Sequence, residues 1–239
     1  MPVKKSGGND YYPIQDLCAI SSAVITIHPV VPNPYTLLGL LPAQASWFTG
    51  LDLKDTFFCL QLSPTSQPLF AVEWEDPHIG TKTQLPWTRL PPGFKNSPIL
   101  FGEALAVDLA AFPREPLDCA LRQYVHVPLL ASPNPGGCWR GAKALSALLS
   151  TTGHKVSWKK AQICRQEVKY LGLVISKWHQ ALRHERKQAI CSIPRPNTNK
   201  DVCELLRAAG FCQIWIRGFS EIAKPLFKAT AGSGKEPLE

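Results

Sequence analysis

The chain lacks any run of about 18 apolar residues, the length a helix needs to cross a bilayer. Its start, Met1-Pro2-Val3-Lys4-Lys5-Ser6-Gly7-Gly8, lacks the apolar stretch of a secretory leader. An intracellular location, cytoplasmic or nuclear, is therefore expected. Eight cysteines, at 18, 59, 119, 138, 164, 191, 203 and 212, make no CxxC pair. That spacing argues against structural zinc and for buried, reduced thiols in apolar segments. No internal repeat is present. Acidic residues are in deficit: 18 Asp and Glu against 26 Lys and Arg leave a net charge of +8.

What is present is enough for a folded protein. A length of 239 residues with 45% hydrophobic content buries a sizeable core, as one large or two modest domains. The basic balance suits a polyanion, because each neutralised phosphate releases counterions; a plain solvated basic surface is the alternative. Position favours nucleic acid modestly. His154, Lys155, Lys159, Lys160 and Lys169 cluster, and Arg183, His184, Arg186, Lys187 and Arg195 follow in the same half.

Local patterns predict a mixed α+β chain. Residues 1–46 read as extended and turn-prone around Pro29, Pro32 and Pro34. Residues 47–62 read as a strand, a turn and a second extended piece. Short strands are expected at 70–74 and 83–87. Asn96-Ser97-Pro98 predicts a helix start, with a polar cap and Pro at the first helical position. Its apolar stripe is Phe101, Ala104, Leu105 and Leu109. A hairpin is expected over 120–130, a loop over 133–137 and a short helix over 143–149. Residues 168–176 read as one strand, and 201–209 as a helix with Val202, Leu205, Leu206 and Ala209 on one face. The tail, 229–236, reads as a frayed end.

Several blocks share a wording with one family. They are Trp47-Phe48-Thr49-Gly50-Leu51-Asp52-Leu53-Lys54-Asp55-Thr56-Phe57-Phe58, Leu90-Pro91-Pro92-Gly93-Phe94-Lys95-Asn96-Ser97-Pro98 and Lys159-Lys160-Ala161-Gln162-Ile163-Cys164. Val168-Lys169-Tyr170-Leu171-Gly172 and Ala209-Gly210-Phe211-Cys212 extend them. In order and spacing the blocks resemble the Pol reverse transcriptase of gammaretroviruses and their endogenous relatives, over essentially the whole chain. The resemblance implies a right-hand polymerase palm with partial fingers and partial thumb. It assigns residues 1–27 and 60–96 to fingers, 28–59 and 97–178 to palm, and 179–239 to thumb. It also implies a chain truncated at the start of the fingers and lacking connection and ribonuclease H domains; no segment carries the separate carboxylate cluster of the latter. A missing fingers start is expected to expose apolar surface on Val24, Ile25 and Ile27.

The family transfers nucleotides with Mg²⁺ held by one strand aspartate and two adjacent aspartates at a hairpin tip. Mg²⁺ is small and hard and prefers carboxylate oxygens in octahedral array. Asp52 matches the first position and is the expected metal ligand; without the resemblance it would read as an ordinary turn or edge carboxylate. The other two positions, in Gln123-Tyr124-Val125-His126-Val127-Pro128-Leu129-Leu130, hold His126 and Val127. Imidazole suits zinc or copper better than magnesium, and valine has no donor; a new metal ligand at His126 is the alternative. Pro128 is expected to remove a ladder N–H where the returning strand begins. By the same resemblance Lys160 matches a palm lysine that protonates pyrophosphate, with a free surface lysine as the alternative.

The resemblance also marks the nucleotide pocket. Lys5 matches a fingers lysine that meets the triphosphate. Tyr12 stands where the family has its partner arginine, so a bidentate phosphate fork is lost. Pro92, before Gly93, replaces a glutamine. Phe57 matches the aromatic gate against a 2′-hydroxyl, or is a core residue. Tyr170, Leu171 and Gly172 match the primer grip. The expectation is a polymerase fold without productive Mg²⁺ or catalysis, with weak, non-specific binding of an RNA or DNA primer–template. A non-enzymatic nucleic-acid-binding or interference protein derived from it is the alternative.

Overall fold

The computed structural model of the chain describes residues 2–4, 11–13, 15–28, 33–177 and 180–230. The chain divides into two compact units, Met1–Val168 and Lys169–Glu239.

In the first unit, β1 (Pro2–Lys4) pairs antiparallel with β2 (Tyr11–Pro13). Two short helices follow, α1 (Cys18–Ala23) and α2 (Pro34–Gly39). The segment expected to be extended thus contains helix. Pro34 takes the first helical position of α2, where its missing N–H costs nothing, and Leu37 and Leu38 are buried. Strand β3 (Trp47–Gly50) and the two-residue β4 (Leu53–Lys54) flank Asp52. The expected second extended piece is instead a 3-10 turn at Phe57–Cys59. β5 (Val72–Glu75) and β6 (Lys82–Leu85) form a hairpin, close to expectation.

Helix α3 (Ser97–Ala110) buries Ser97, Phe101, Leu105 and Leu109. Its start differs in detail from the sequence reading: Pro98 is the second helical residue, and Asn96 does not cap with its side chain. Asn96 instead accepts from Ile27 N–H (3.2 Å) and donates to the Ile25 carbonyl (2.9 Å). Lys95 Nζ donates to the Val24 carbonyl (2.7 Å), so the segment before α2 is tied to the head of α3. Of the apolar trio expected at the surface, Ile25 and Ile27 are exposed, whereas Val24 packs partly against the core.

A single turn, α4 (Arg114–Leu117), leads into β7 (Ala120–Tyr124), and β8 (Val127–Ser132) returns antiparallel to it. The expected loop and short helix merge into one helix, α5 (Pro135–Thr151). Asn134 caps it by accepting from Gly137 N–H at 2.7 Å. Packing explains why a Gly-rich stretch is helical here. A Cβ on Gly141 would lie 2.8 Å from both Cys119 Sγ and Leu130 Cδ2, so only glycine lets α5 lie this close to the sheet. Strands β9 (Lys155–Val156) and β10 (Gln162–Arg165) complete the unit. The main sheet runs β10-β3-β8-β7, antiparallel throughout. With α3 and α5 it buries Leu51, Phe101, Leu105, Leu130, Leu145 and Leu149 in one core.

In the second unit the 168–176 run is two strands rather than one. β11 (Glu167–Tyr170) begins at the unit boundary, and β12 (Leu173–Ser176) follows. Leu171 and Gly172 between them have φ of 51° and 79°, both left-handed, as a tight hairpin turn requires. β13 (Gln180–Leu182) pairs with β12. Helices α6 (His184–Cys191), α7 (Asn199–Gly210) and α8 (Phe219–Ala229) follow. A capping box closes α7: Thr198 accepts from Asp201 N–H while the Asp201 carboxylate accepts from Thr198 N–H. Val202, Leu206 and Ala223 pack α7 on α8. Ala229 is still helical, and the rest of the expected frayed tail, apart from Thr230, lies outside the described residues.

Candidate active site

Asp52 lies in the two-residue link between β3 and β4, not within a strand. Its carbonyl accepts from Ser157 N–H at 2.8 Å, and β4 pairs with β9 through Leu53↔Val156 and Lys54↔Lys155. Leu51 N–H donates to the Pro128 carbonyl at 3.1 Å. These bonds bring the Asp52 link against the turn over 157–160 on one side and the turn end of the β7–β8 hairpin on the other.

The side chains of Asp52, Lys160 and His126, the last at a position where the resemblance implies a lost aspartate, lie close together. Lys160 Nζ lies 2.7 Å from Asp52 Oδ2. His126 Nε2 lies 3.8 Å from Asp52 Oδ1, an ion pair only when the ring is protonated. Asp52 is 22% exposed, His126 47% and Lys160 72%. Val127, the first residue of β8, is half-buried and offers no donor atom. A magnesium pair needs several carboxylate oxygens in near-octahedral array. This cluster presents one carboxylate, already paired to an ammonium, beside an imidazole and a valine; that donor set does not fit Mg²⁺. Among the described residues no group of three or more His, Cys, Asp or Glu side chains is placed to hold a metal.

The tip of the hairpin is strained. Tyr124↔Val127 is the last pair, leaving Val125-His126 as a two-residue turn. Val125 has φ of 49°, a region β-branched residues rarely occupy. Gln123, which sequence reasoning passed over, compensates: its Nε2 donates to the Gly102 carbonyl (2.8 Å) and the Val125 carbonyl (2.9 Å). Strand β8 runs through Pro128, which removes a ladder N–H as expected, but on the side facing β3. Leu51 N–H donates to its carbonyl, proline returns no bond, and the register with β3 stops at Gly50↔Leu129. Hydrogen-bonded and non-hydrogen-bonded pairs alternate along an antiparallel ladder. With Tyr124↔Val127 closing the turn, Gln123↔Pro128 falls on a non-hydrogen-bonded pair, so β7 loses no partner.

Lys5 lies outside the described residues, and of Tyr12 only its place in β2 is described. Phe57 is half-buried, its ring edge-on to Phe101 at 6.1 Å, packed against the core. Pro92-Gly93 forms a turn with Gly93 at φ of 91°, which favours glycine; Pro92 is half-buried and Gly93 exposed. Tyr170, Leu171 and Gly172 belong to the β11–β12 hairpin of the second unit, with the Tyr170 side chain buried.

His154, read as part of a basic cluster, is buried: its Nε2 pairs with Asp108 Oδ2 at 2.8 Å and its ring lies edge-on to Phe101. Lys155, Lys159, Lys160 and Lys169 are exposed. The thiols are not uniformly buried either, since Cys18 and Cys191 are exposed. Cys119, Cys138 and Cys164 do lie inside. Thr49, another residue not singled out from sequence, accepts from Cys164 N–H (3.0 Å) and contacts Cys138 Sγ (3.3 Å). Burial pushes the Cys138 thiol up to about 12. No helix among the described residues is long and apolar enough to cross a membrane.

Residues 3–175 match the reverse transcriptase (RNA-dependent DNA polymerase) family. Over 233 residues the chain is 51% identical to the Gag-Pol polyprotein of gibbon ape leukemia virus, covering 98% of this chain and 14% of that one. It is 49% identical over 238 residues to the Gag-Pol polyprotein of avian reticuloendotheliosis virus, covering 100% and 21%. The chain therefore spans about a fifth or less of these relatives. Among solved structures it resembles the foamy viral protease-reverse transcriptase in complex with double-stranded DNA, with a TM-score of 0.82 at 26% identity over 99% of this chain and 40% of that one. The same enzyme with an RNA/DNA hybrid gives a TM-score of 0.77 at 27% identity, covering 100% and 30%. The mixed helix-and-sheet architecture is thus that of a polymerase palm. The chain belongs to the reverse transcriptase (RNA-dependent DNA polymerase) family, in the form carried by retroviral Gag-Pol polyproteins.

Proposed function

We propose that this chain is a reverse transcriptase domain without nucleotidyl transfer that keeps non-specific affinity for a primer–template. The observation that carries the reading is the state of Asp52, with one oxygen 2.7 Å from Lys160 Nζ and the other turned to His126. In-line transfer uses two divalent ions to clamp the attacking and leaving oxygens. With His126 and Val127 in place of carboxylates, neither ion has its ligands. Each ~1.4 kcal/mol of lost transition-state stabilisation costs about tenfold in rate. Losing several kcal/mol of metal assistance brings turnover to background. Tyr12 and Pro92 weaken triphosphate recognition in the same direction, with Lys5 and Phe57 left as the remaining pocket groups.

On this reading residues 1–27 and 60–96 act as fingers, 28–59 and 97–178 as palm, and 179–239 as thumb, with Tyr170, Leu171 and Gly172 as primer grip. Backbone contacts to phosphate need no catalytic metal. The exposed Lys155, Lys159 and Lys187 support binding that survives loss of chemistry, and the same property suits a non-enzymatic interference role. The test is titration of a labelled primer–template between 50 and 200 mM salt, with Mg²⁺ and then with EDTA. The expected result is a steep fall in affinity with salt and no loss of affinity when EDTA replaces Mg²⁺. Affinity that requires Mg²⁺, or no saturable binding, contradicts the reading.

A further inference from the structure

Trp158 is 70% exposed, yet the turn that carries it is firmly held. Ser157 N–H donates to the Asp52 carbonyl, and the Ser157 carbonyl accepts from both Lys160 N–H (3.0 Å) and Ala161 N–H (2.9 Å). The neighbouring ladder sets Lys54 directly opposite Lys155, a like-charged pair that destabilises a two-stranded ribbon. Lys159 adjoins the indole in sequence and is exposed. Among the described residues no carboxylate lies within 4.0 Å of Lys155 or Lys159, and Lys54 reaches only Asp55, at 3.8 Å. The fold gains little from an indole left in water between unneutralised lysines. A ligand with flat apolar faces strung on an anionic backbone would gain from both features.

We propose that Trp158, with Lys54, Lys155 and Lys159, forms a stacking platform for a single-stranded nucleic acid beside the Asp52 site. The inference rests on the nucleic-acid-binding reading above and narrows it. A single strand offers unstacked bases to the indole while its phosphates meet the lysines. Duplex bases are already stacked on one another and offer only phosphates. The two components have different signatures: stacking is insensitive to salt, whereas each phosphate contact contributes about 0.7 to the log–log salt slope on single strands.

The test uses the full chain with fluorescein-labelled (dT)12 and a duplex of equal length, from 50 to 200 mM salt. Trp158→Ala is expected to weaken (dT)12 binding about tenfold at an unchanged salt slope, and to leave duplex binding within about twofold. Lys155→Ala/Lys159→Ala is expected to flatten the single-strand slope by about 1.4. Trp158→Phe should retain most of the affinity. A (dT)12 carrying one 2-aminopurine gives a readout that needs no variant, its emission being quenched on stacking with the native chain. Equal affinity of native and Trp158→Ala for (dT)12, equal loss on the duplex, or unquenched 2-aminopurine would overturn the platform. Native binding to the duplex but not to (dT)12 overturns the platform alone, and binding to neither overturns the broader reading with it.

Discussion

The two ends of β8 obey different rules. At its base Leu129, Leu130, Ala131 and Ser132 are sealed from solvent, and Leu130 fills the space that Gly141 leaves under α5. At its tip, a few residues away, His126 projects into water. Side chains at the base are fixed by packing at close to crystal density, so even a methylene change there is felt. Side chains at the tip answer to chemistry, and surface substitutions cost stability little, usually within about 0.5 kcal/mol. On the proposed reading, a polymerase fold and polymerase activity are therefore separable in this chain. The residues that specify one are not those that perform the other.

Substitutions at the buried end sharpen that comparison most. Phe101→Ala removes a fully buried ring that touches Phe57 and His154. It is expected to cost about 3–5 kcal/mol, read from the urea unfolding midpoint; a loss under ~1 kcal/mol would break the account of the core that α3 shares with Leu130 of β8. Thr49→Val keeps the shape but leaves the Cys164 N–H without its acceptor. It should cost about 1–3 kcal/mol by the same measurement.

At the tip the sign reverses. Val125→Gly relieves a left-handed β-branched residue, worth about 1–2 kcal/mol, against about 0.5–1 kcal/mol of added chain entropy. The expected net is a stabilisation of up to ~1.5 kcal/mol in thermal unfolding, and a clear loss would mean the turn is not strained.

The smallest effect belongs to α7. Backbone N–H groups of Asn197 and Thr198 and the Thr198 side chain hold the Asp201 carboxyl below its usual range. Its folded pKa is depressed, so its contribution is complete above the ordinary carboxylate pKa of about 4 and fades as pH falls through the folded value. The difference in unfolding midpoint between native chain and Asp201→Ala should be present at pH 6 and shrink toward pH 3. A difference independent of pH would contradict the capping box.

Much of this was readable before the fold. Period-two apolar runs marked β3 and the β7–β8 hairpin, and i, i+3, i+4 spacing marked α3 and α7. The family wording placed Asp52, His126 and Lys160, which the structure brings together. The remainder depended on contacts between distant segments. The glycines at the head of α5 looked like a loop until the sheet beneath them required close approach. Leu171-Gly172 was hidden inside an apolar run, its turn visible only through the backbone. Pro128 looked like a fault in the hairpin, whereas the phase of the ladder turns its missing N–H away from β7 and toward β3. His154 looked like surface charge because its partner, Asp108, is 46 residues away.

The central claim, that a polymerase fold stands here over a failed metal site, is tested most directly by primer extension on a poly-A template. The native chain and the His126→Asp, Val127→Asp double variant are compared in Mg²⁺ and in Mn²⁺. The account predicts no incorporation by the native chain in either metal, and incorporation by the double variant wherever the nucleotide pocket tolerates Tyr12 and Pro92. Templated extension by the native chain would contradict it.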